Sequence, residues 1–420
     1  APVSGGPRTE AAPEAPAPGS DHRSRTALRA AADAMAARPG DFSTARGALD
    51  RMYTGGASQG GSVVNDEGVT LLGRAARYYG EVRRLVDKWA GKQDLAESLD
   101  VMGDSYEDVW SKLKAVEALA QKRSVTQENT HLEETLLWVD GVLNDRGRKV
   151  AVNTHRVYFH KAKNPQSEIQ EGIRRVDGYL RDTMAQLKSG GKAEEALGRL
   201  DEVVLVFDTR GYAQIKEHLK AREKALSPQE RRRFRFQFLD ELTEIPRDPA
   251  VLREQFNRLT ERYRGRGLEK IIEGVTYSRY VGLLLELRTV DHFLERGYSI
   301  LQSGRELFDK NGLYITELDV VARSPEGRVS LIEAKSARVP LPFDEVLKDK
   351  VVRKLEVYSK NREALNKSIG APFDEVIFAV DVGSNLELAE WLKGKEAGLS
   401  KRYGVPVRFL FLESFPDNGR

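Results

Sequence analysis

Four ionisable residues in the C-terminal third of the chain stand where charge is expensive. Asp319 lies in the run Ile315-Thr316-Glu317-Leu318-Asp319-Val320-Val321-Ala322-Arg323, and Glu333 and Lys335 lie in Arg328-Val329-Ser330-Leu331-Ile332-Glu333-Ala334-Lys335-Ser336. Ser324-Pro325-Glu326-Gly327 separates the runs with turn-forming residues, so together they read as an antiparallel hairpin. A turn centred near Glu326 sets Asp319 opposite Glu333 or its immediate neighbour. The two-residue period of a strand puts Glu333 and Lys335 on one face. Two carboxylates and an ammonium then meet amid Leu318, Val320, Val321, Leu331 and Ile332. Unpaired charges are costly in such surroundings, and a bound divalent cation would offset that cost. Upstream, Glu286 interrupts Val281-Gly282-Leu283-Leu284-Leu285-Glu286-Leu287, and Gly282, one helical turn earlier, would let that helix approach a sheet closely.

The elements that must position these residues follow from periodicity. A helix over about 276–296 precedes the two strands, a charged helix over 344–365 follows them, and apolar runs at 375–382 and 405–412 flank a helix at 386–399. The order αββαβαβ predicts a mixed sheet flanked by helices, an α/β domain over 270–415.

Gly282-x-x-x-Glu286, Asp319 and Glu333-Ala334-Lys335 together resemble the PD-(D/E)XK nuclease superfamily, whose fold is restriction-endonuclease-like. The resemblance covers roughly a third of the chain, with the motifs in the family's order. Leu318 stands where the family often carries Pro, which leaves the aspartate and the E-x-K triplet in place. What the resemblance implies is a metal-dependent endonuclease acting on DNA in preference to RNA. Asp319 and Glu333 would hold Mg²⁺ or Mn²⁺, with the Ala334 backbone carbonyl as a further ligand and Glu286 supporting the metal directly or through water. Lys335 would orient the attacking water or stabilise charge on the phosphate. On the downstream helix, Lys350, Lys354 and Tyr358 step by four and would grip the nucleic-acid backbone; a solvated helix face is the alternative.

The rest of the chain reads as delivery or regulation. Residues 1–25, rich in Pro and Ala, predict a disordered arm, 26–38 a short Ala-rich helix, and 54–62 a Gly/Ser linker without the Gly-Lys-Ser/Thr ending of a phosphate loop. Apolar residues at three- and four-residue steps, such as Val82, Leu85 and Trp89, or Ile169, Ile173, Val176 and Leu180, predict an all-α module over 26–227. The residues of 228–269 read as connecting helices, opened by Ser227-Pro228-Gln229-Glu230 and by Asp248-Pro249. Arg231, Arg232, Arg233 and Arg235 interleave with Phe234, Phe236 and Phe238, which suits either nucleic-acid contact or an amphipathic helix with Phe inward.

Composition removes several classes. With 67 Lys+Arg against 64 Asp+Glu the formal charge is +3, so any attraction to nucleic acid must be local. The absence of cysteine excludes disulfides, thiol nucleophiles, cysteine-ligated zinc and iron–sulfur clusters. His155 and His160, five apart, lack the spacing of a zinc pair, and no histidine metal site is expected. No apolar stretch reaches the ~18 residues of a membrane helix. The chain starts at Ala1, as a processed form or excised module would, and with its Pro/Ala arm suggests an effector of a bacterial polymorphic toxin system, neutralised by an immunity protein and acting in a recipient cytoplasm. The alternatives are a defence or repair endonuclease acting in its own cell, and a non-catalytic helical scaffold with a degenerate nuclease fold.

Overall fold

The computed structural model describes residues 66–93, 102–122, 139–157, 165–209, 212–246, 248–310, 314–338 and 341–414. The arm, the short helix and the linker expected before residue 66 lie outside the described residues, as does His160.

Helices α1 (Asp66–Lys88) and α2 (Met102–Lys122) bury the stripes expected of them. Val82, Leu85, Val109, Trp110, Leu113 and Val116 are fully buried, each contributing roughly 1.5–3 kcal/mol. The all-α expectation then fails. Strands β1 (Gly141–Asp145) and β2 (Arg148–Arg156) form a hairpin whose turn residues Arg146 and Gly147 both take positive φ, at 52° and 82°, the two-residue turn that matches strand twist. There follow α3 (Pro165–Leu187), α4 (Lys192–Leu197), β3 (Glu202–Asp208), α5 (Ala213–Lys224), α6 (Pro228–Arg233), β4 (Phe234–Phe238) and α7 (Leu239–Leu242). These strands make a four-stranded sheet in the order β1-β2-β3-β4, antiparallel at β1–β2 and parallel elsewhere. The module is therefore α/β, not helical, and the stretch expected to be only connecting helices supplies its last strand.

The reason is physical. Val150, Val152 and Val203–Phe207 are β-branched or bulky residues buried on both faces, and a doubly covered strand shows no alternation to betray it. Val139 and Leu143 fall in helical step by coincidence. The capping box at Ser227 forms as expected, but the helix ends at Arg233. Phe-Arg-Phe-Gln-Phe then alternates inward Phe with outward Arg235, a strand rather than an amphipathic helix.

The second half opens with α8 (Pro249–Tyr263), where Asp248 Oδ1 caps the Ala250 N–H at 2.8 Å. Next come α9 (Leu268–Glu295), β5 (Ser299–Phe308), β6 (Tyr314–Arg323), β7 (Val329–Ser336) and α10 (Phe343–Val346). A π-helical turn (Leu347–Val352) leads into α11 (Arg353–Lys360), α12 (Arg362–Ile369), β8 (Glu375–Asp381), α13 (Leu386–Lys393), α14 (Glu396–Tyr403) and β9 (Val407–Phe411). The five strands run β5-β6-β7-β8-β9 in one mixed sheet. The expected α/β character holds for this segment, and β5 is the strand that periodicity missed. Ser-Ile-Leu-Gln-Ser-Gly-Arg-Glu-Leu-Phe is a half-exposed edge with irregular pairing. The hairpin has the expected register, with Val320 facing Ile332 and Val321 facing Leu331.

Helices α1, α2, α8 and α9 form a central layer between the sheets. Val150, Val152, Val204 and Val206 reach it from one side, and Val320, Ala322, Ile332, Ile377 and Ala379 from the other. Glu117, buried on α2, ties that helix to α8 through Arg258 and through Arg262 at 3.0 Å. The outer face of the first sheet is covered by α3 to α5, and that of the second by α10 to α14.

Candidate active site

The four residues singled out by their chemistry converge where the β6–β7 ladder ends. Regular pairing runs to Val320 and Ile332, and the next residue on each strand is Asp319 or Glu333. Asp319 Oδ2 accepts the Ala334 N–H at 2.8 Å, which locks the aspartate across the hairpin. Lys335 Nζ lies 3.1 Å from Asp319 Oδ2 and 2.8 Å from Glu333 Oε2, so one ammonium bridges both carboxylates.

Glu333 has no solvent exposure. Its Oε1 accepts the Tyr358 hydroxyl and lies 3.1 Å from Lys354 Nζ, which also donates to the Glu317 carbonyl at 2.7 Å. Both groups come from α11. Oε2 has the Lys335 ion pair but no hydrogen bond.

The electrostatics show an excess of acid. Burial pushes the Glu286 carboxyl well above its ordinary range, and the charges of Asp319 and Glu317 push it further, which places this helix-borne acid within the field of the same centre. Glu333 is raised by burial and by Asp319, against the pull of Lys335 and Lys354. Glu317 is raised by burial and by Asp319. Glu306, its direct partner across β5–β6, is pushed up to about 7 by burial and by Glu317. Lys335 is raised as well: burial would lower it, but Glu333 and Asp319 together raise it and keep the ammonium charged. Of the positive charges, Lys335 and Lys354 touch these carboxylates directly, while Arg175 acts on Glu317 and Lys350 lies near Lys335 from further off. The raised carboxyls of Glu286, Glu317 and Glu333 favour taking up a proton or a cation.

Other expected residues are redistributed. Lys354 and Tyr358 point into the centre rather than outward to grip a backbone, and Lys350 is depressed by burial and by the nearby Lys335 charge. Gly282 does not serve close packing: a Cβ there would meet nothing within 4 Å, so the turn before Glu286 faces open space. The arginine cluster belongs to the first sheet. Arg233 is spent on the Leu187 and Leu200 carbonyls and on Glu194, Arg231 on the Leu226 carbonyl, and Arg235 lies 3.5 Å from Glu202. Arg232 is exposed on α6. Glu317, two residues before Asp319 on the same strand face, also belongs to the centre, and the two-residue strand period is the signal that marks it.

Among the described residues no three or more His, Asp or Glu side chains form a ready-made metal cage. Mg²⁺ seldom needs one. It keeps several waters and binds through one or two carboxylates plus substrate phosphate. The hard oxygen donors of Asp319 and Glu333, and the raised, buried Glu333 carboxyl whose Oε2 is held only by the Lys335 ammonium, fit that mode. No protein-family model, no curated protein and no solved structure matches the chain. Among the described residues no helix is long and apolar enough to cross a membrane.

Proposed function

We propose that the Asp319–Glu333–Lys335 centre hydrolyses phosphodiester bonds with the help of a divalent cation, DNA being the favoured substrate, on a sheet of restriction-endonuclease-like type. The observation that carries this reading is the single ammonium of Lys335 held between two carboxylates in an acid-rich pocket at the end of a strand pair. Asp319, Glu333 and the Ala334 carbonyl are the groups that would hold Mg²⁺ or Mn²⁺, with Glu286 behind them. Bound there, such an ion supplies Lewis acidity toward the phosphate oxygens and lowers the pKa of water.

The chain's own residues do the remaining work. The Ala334 N–H fixes the Asp319 carboxylate, and the Tyr358 hydroxyl fixes Glu333. That preorganisation avoids reorienting either acid during reaction. Lys335 carries its full positive charge at neutral pH, because the flanking acids raise it. It can donate to a phosphate oxygen or orient an attacking water. Lys354 adds a second positive charge 3.1 Å from Glu333 Oε1.

The test is incubation of purified protein with supercoiled plasmid, linear duplex, single-stranded DNA and tRNA, in Mg²⁺, in Mn²⁺ and in EDTA. The reading expects cation-dependent cleavage of at least one polymer, lost in Glu333→Gln. Cleavage retained by Glu333→Gln, or no cleavage of any substrate by well-folded protein, would refute it.

A further inference from the structure

The two sheets repeat one another. Each unit leads with a long helix on the central side, α2 in the first and α9 in the second. Each continues with an antiparallel strand pair, a helical crossover to a parallel strand, and a second helical crossover to another parallel strand. Thus, among the described residues, β1-β2-β3-β4 corresponds to β6-β7-β8-β9, and β5 pairs with β6 at the edge of the second sheet. Both sets of crossover helices cover the outer face.

The register makes the correspondence residue by residue. Asn153 pairs with Leu205, which pairs with Phe236; Glu333 pairs with Phe378, which pairs with Phe409. Asp140 directly precedes the Gly141–Val152 pair as Asp319 directly precedes Val320–Ile332. Two residues along β2 and β7, His155 therefore stands where Lys335 stands. At the same rows the strands end in the fully buried Asp208 and Asp381, whose carbonyls accept the Val157 and Ala337 N–H groups at 3.0 and 2.8 Å.

The bonds that build the second centre recur in the first. Asp140 Oδ2 accepts the Thr154 N–H at 2.5 Å, as Asp319 Oδ2 accepts that of Ala334. The Tyr179 hydroxyl, from crossover helix α3, donates to Asn153 Oδ1, as that of Tyr358 donates to Glu333. What differs is charge. Asn153 is neutral where Glu333 is an acid. His155 stacks on Tyr179 at 3.9 Å, and burial with nearby Lys112 and Arg175 holds it at about 3, hence uncharged at neutral pH. Lys112 on α2 lies 2.8 Å from Asp140 Oδ1 and donates to the Thr154 carbonyl at 3.3 Å. Asp140 is matched directly by Lys112, with Arg175 adding positive charge near His155, whereas at the second centre the carboxyls of Glu286, Glu317 and Glu333 stay raised despite Lys335 and Lys354.

We propose that residues 102–238 are a second copy of the fold at 268–411, and that their Asp140–Asn153–His155 centre is a cation-independent counterpart in which Lys112 supplies the balancing charge. The part of this inference that concerns cation demand at the second centre rests on the function proposed above; the Lys112–Asp140 part does not. The chain then holds one cation-requiring centre and one built without that requirement.

Two measurements on the full chain test this. In EDTA, thermal melts of Lys112→Met, Asp140→Asn and the double variant should show both single changes lowering the Tm and the double change lowering it by clearly less than their sum. Additive shifts would overturn the assignment of Lys112 as the balancing charge. Titration with Mn²⁺ should then find one ion per wild-type chain, lost in Glu333→Gln and retained in Asp140→Asn. A second ion, or an ion lost in Asp140→Asn, would overturn the inference. Absence of any Mn²⁺ from the wild type would refute the cation reading of Asp319 and Glu333, while the melts alone would still decide the role of Lys112.

Discussion

Replacing Lys335 by Met removes the one ammonium that touches both Asp319 and Glu333, at 3.1 and 2.8 Å, while keeping the length and apolar stem of the side chain. Asp319 keeps the Ala334 N–H, and Glu333 keeps Tyr358 and Lys354. Among the described residues Lys354 is then the one ammonium still touching Glu333, with Arg175 and Lys350 acting only from further off. Removing one partner of a buried ion pair destabilises by about 3–5 kcal/mol, mainly through the charge left unpaired. At roughly 2–4 °C per kcal/mol for a unit of 150–250 residues, the expected loss is on the order of 6–20 °C in EDTA. A divalent cation binding at 100 times its Kd restores about 2.7 kcal/mol. Melts followed by circular dichroism should therefore show Mg²⁺ recovering much of the loss in Lys335→Met and shifting the wild type less. An equal loss with Mg²⁺ and with EDTA would refute the idea that this pocket is short of positive charge.

Three further outcomes follow from named contacts. Tyr358→Phe deletes the hydroxyl that fixes buried Glu333; at about 1.5–3 kcal/mol for a hydrogen bond to a charged group, kcat should fall tenfold or more with KM little changed, as single-substrate kinetics will show. Glu117 is raised by burial, but hydrogen bonds and charges from Arg258 and Lys114 overrule that and hold it at about 2. Its stabilisation is present above the unfolded value near 4.5 and lost as pH falls toward 2. The ceiling is on the order of 3 kcal/mol, so Glu117→Gln should melt lower at pH 7 and lose most of its difference from wild type only as pH falls to about 2. Glu306 is held at about 7 by burial and Glu317; because that lies above its unfolded value, stability falls as pH rises from about 4.5 through 7. Glu306→Gln should raise the Tm at pH 8 and leave it unchanged at pH 4, by urea or thermal melts at both pH values.

The hairpin was legible because two β-rich apolar runs flank a Ser-Pro-Glu-Gly turn, whose centre sets the register that brings Asp319 to Glu333. Lys335 followed from the strand period. The first sheet was not legible. Val203–Phe207 is covered on both faces and carries no period, and Phe234–Phe238 was masked by a genuine helix start seven residues earlier. Strand β5 escaped because a half-exposed edge needs little apolar alternation. The repeat could not be read from residue types at all, since Asn153-x-His155 shares no chemistry with Glu333-x-Lys335. The strand order, the pairing register and the recurring bonds of Asp140 and Tyr179 reveal it.

The most direct test of the central claim is single-turnover cleavage of whichever polymer is cut, with wild type and Glu333→Gln compared in Mg²⁺ and after an EDTA quench. Wild-type cleavage should stop on chelation, and Glu333→Gln, equally well folded, should be slower by at least about 100-fold. Cleavage by Glu333→Gln at the wild-type rate, or wild-type cleavage indifferent to EDTA, would contradict that claim.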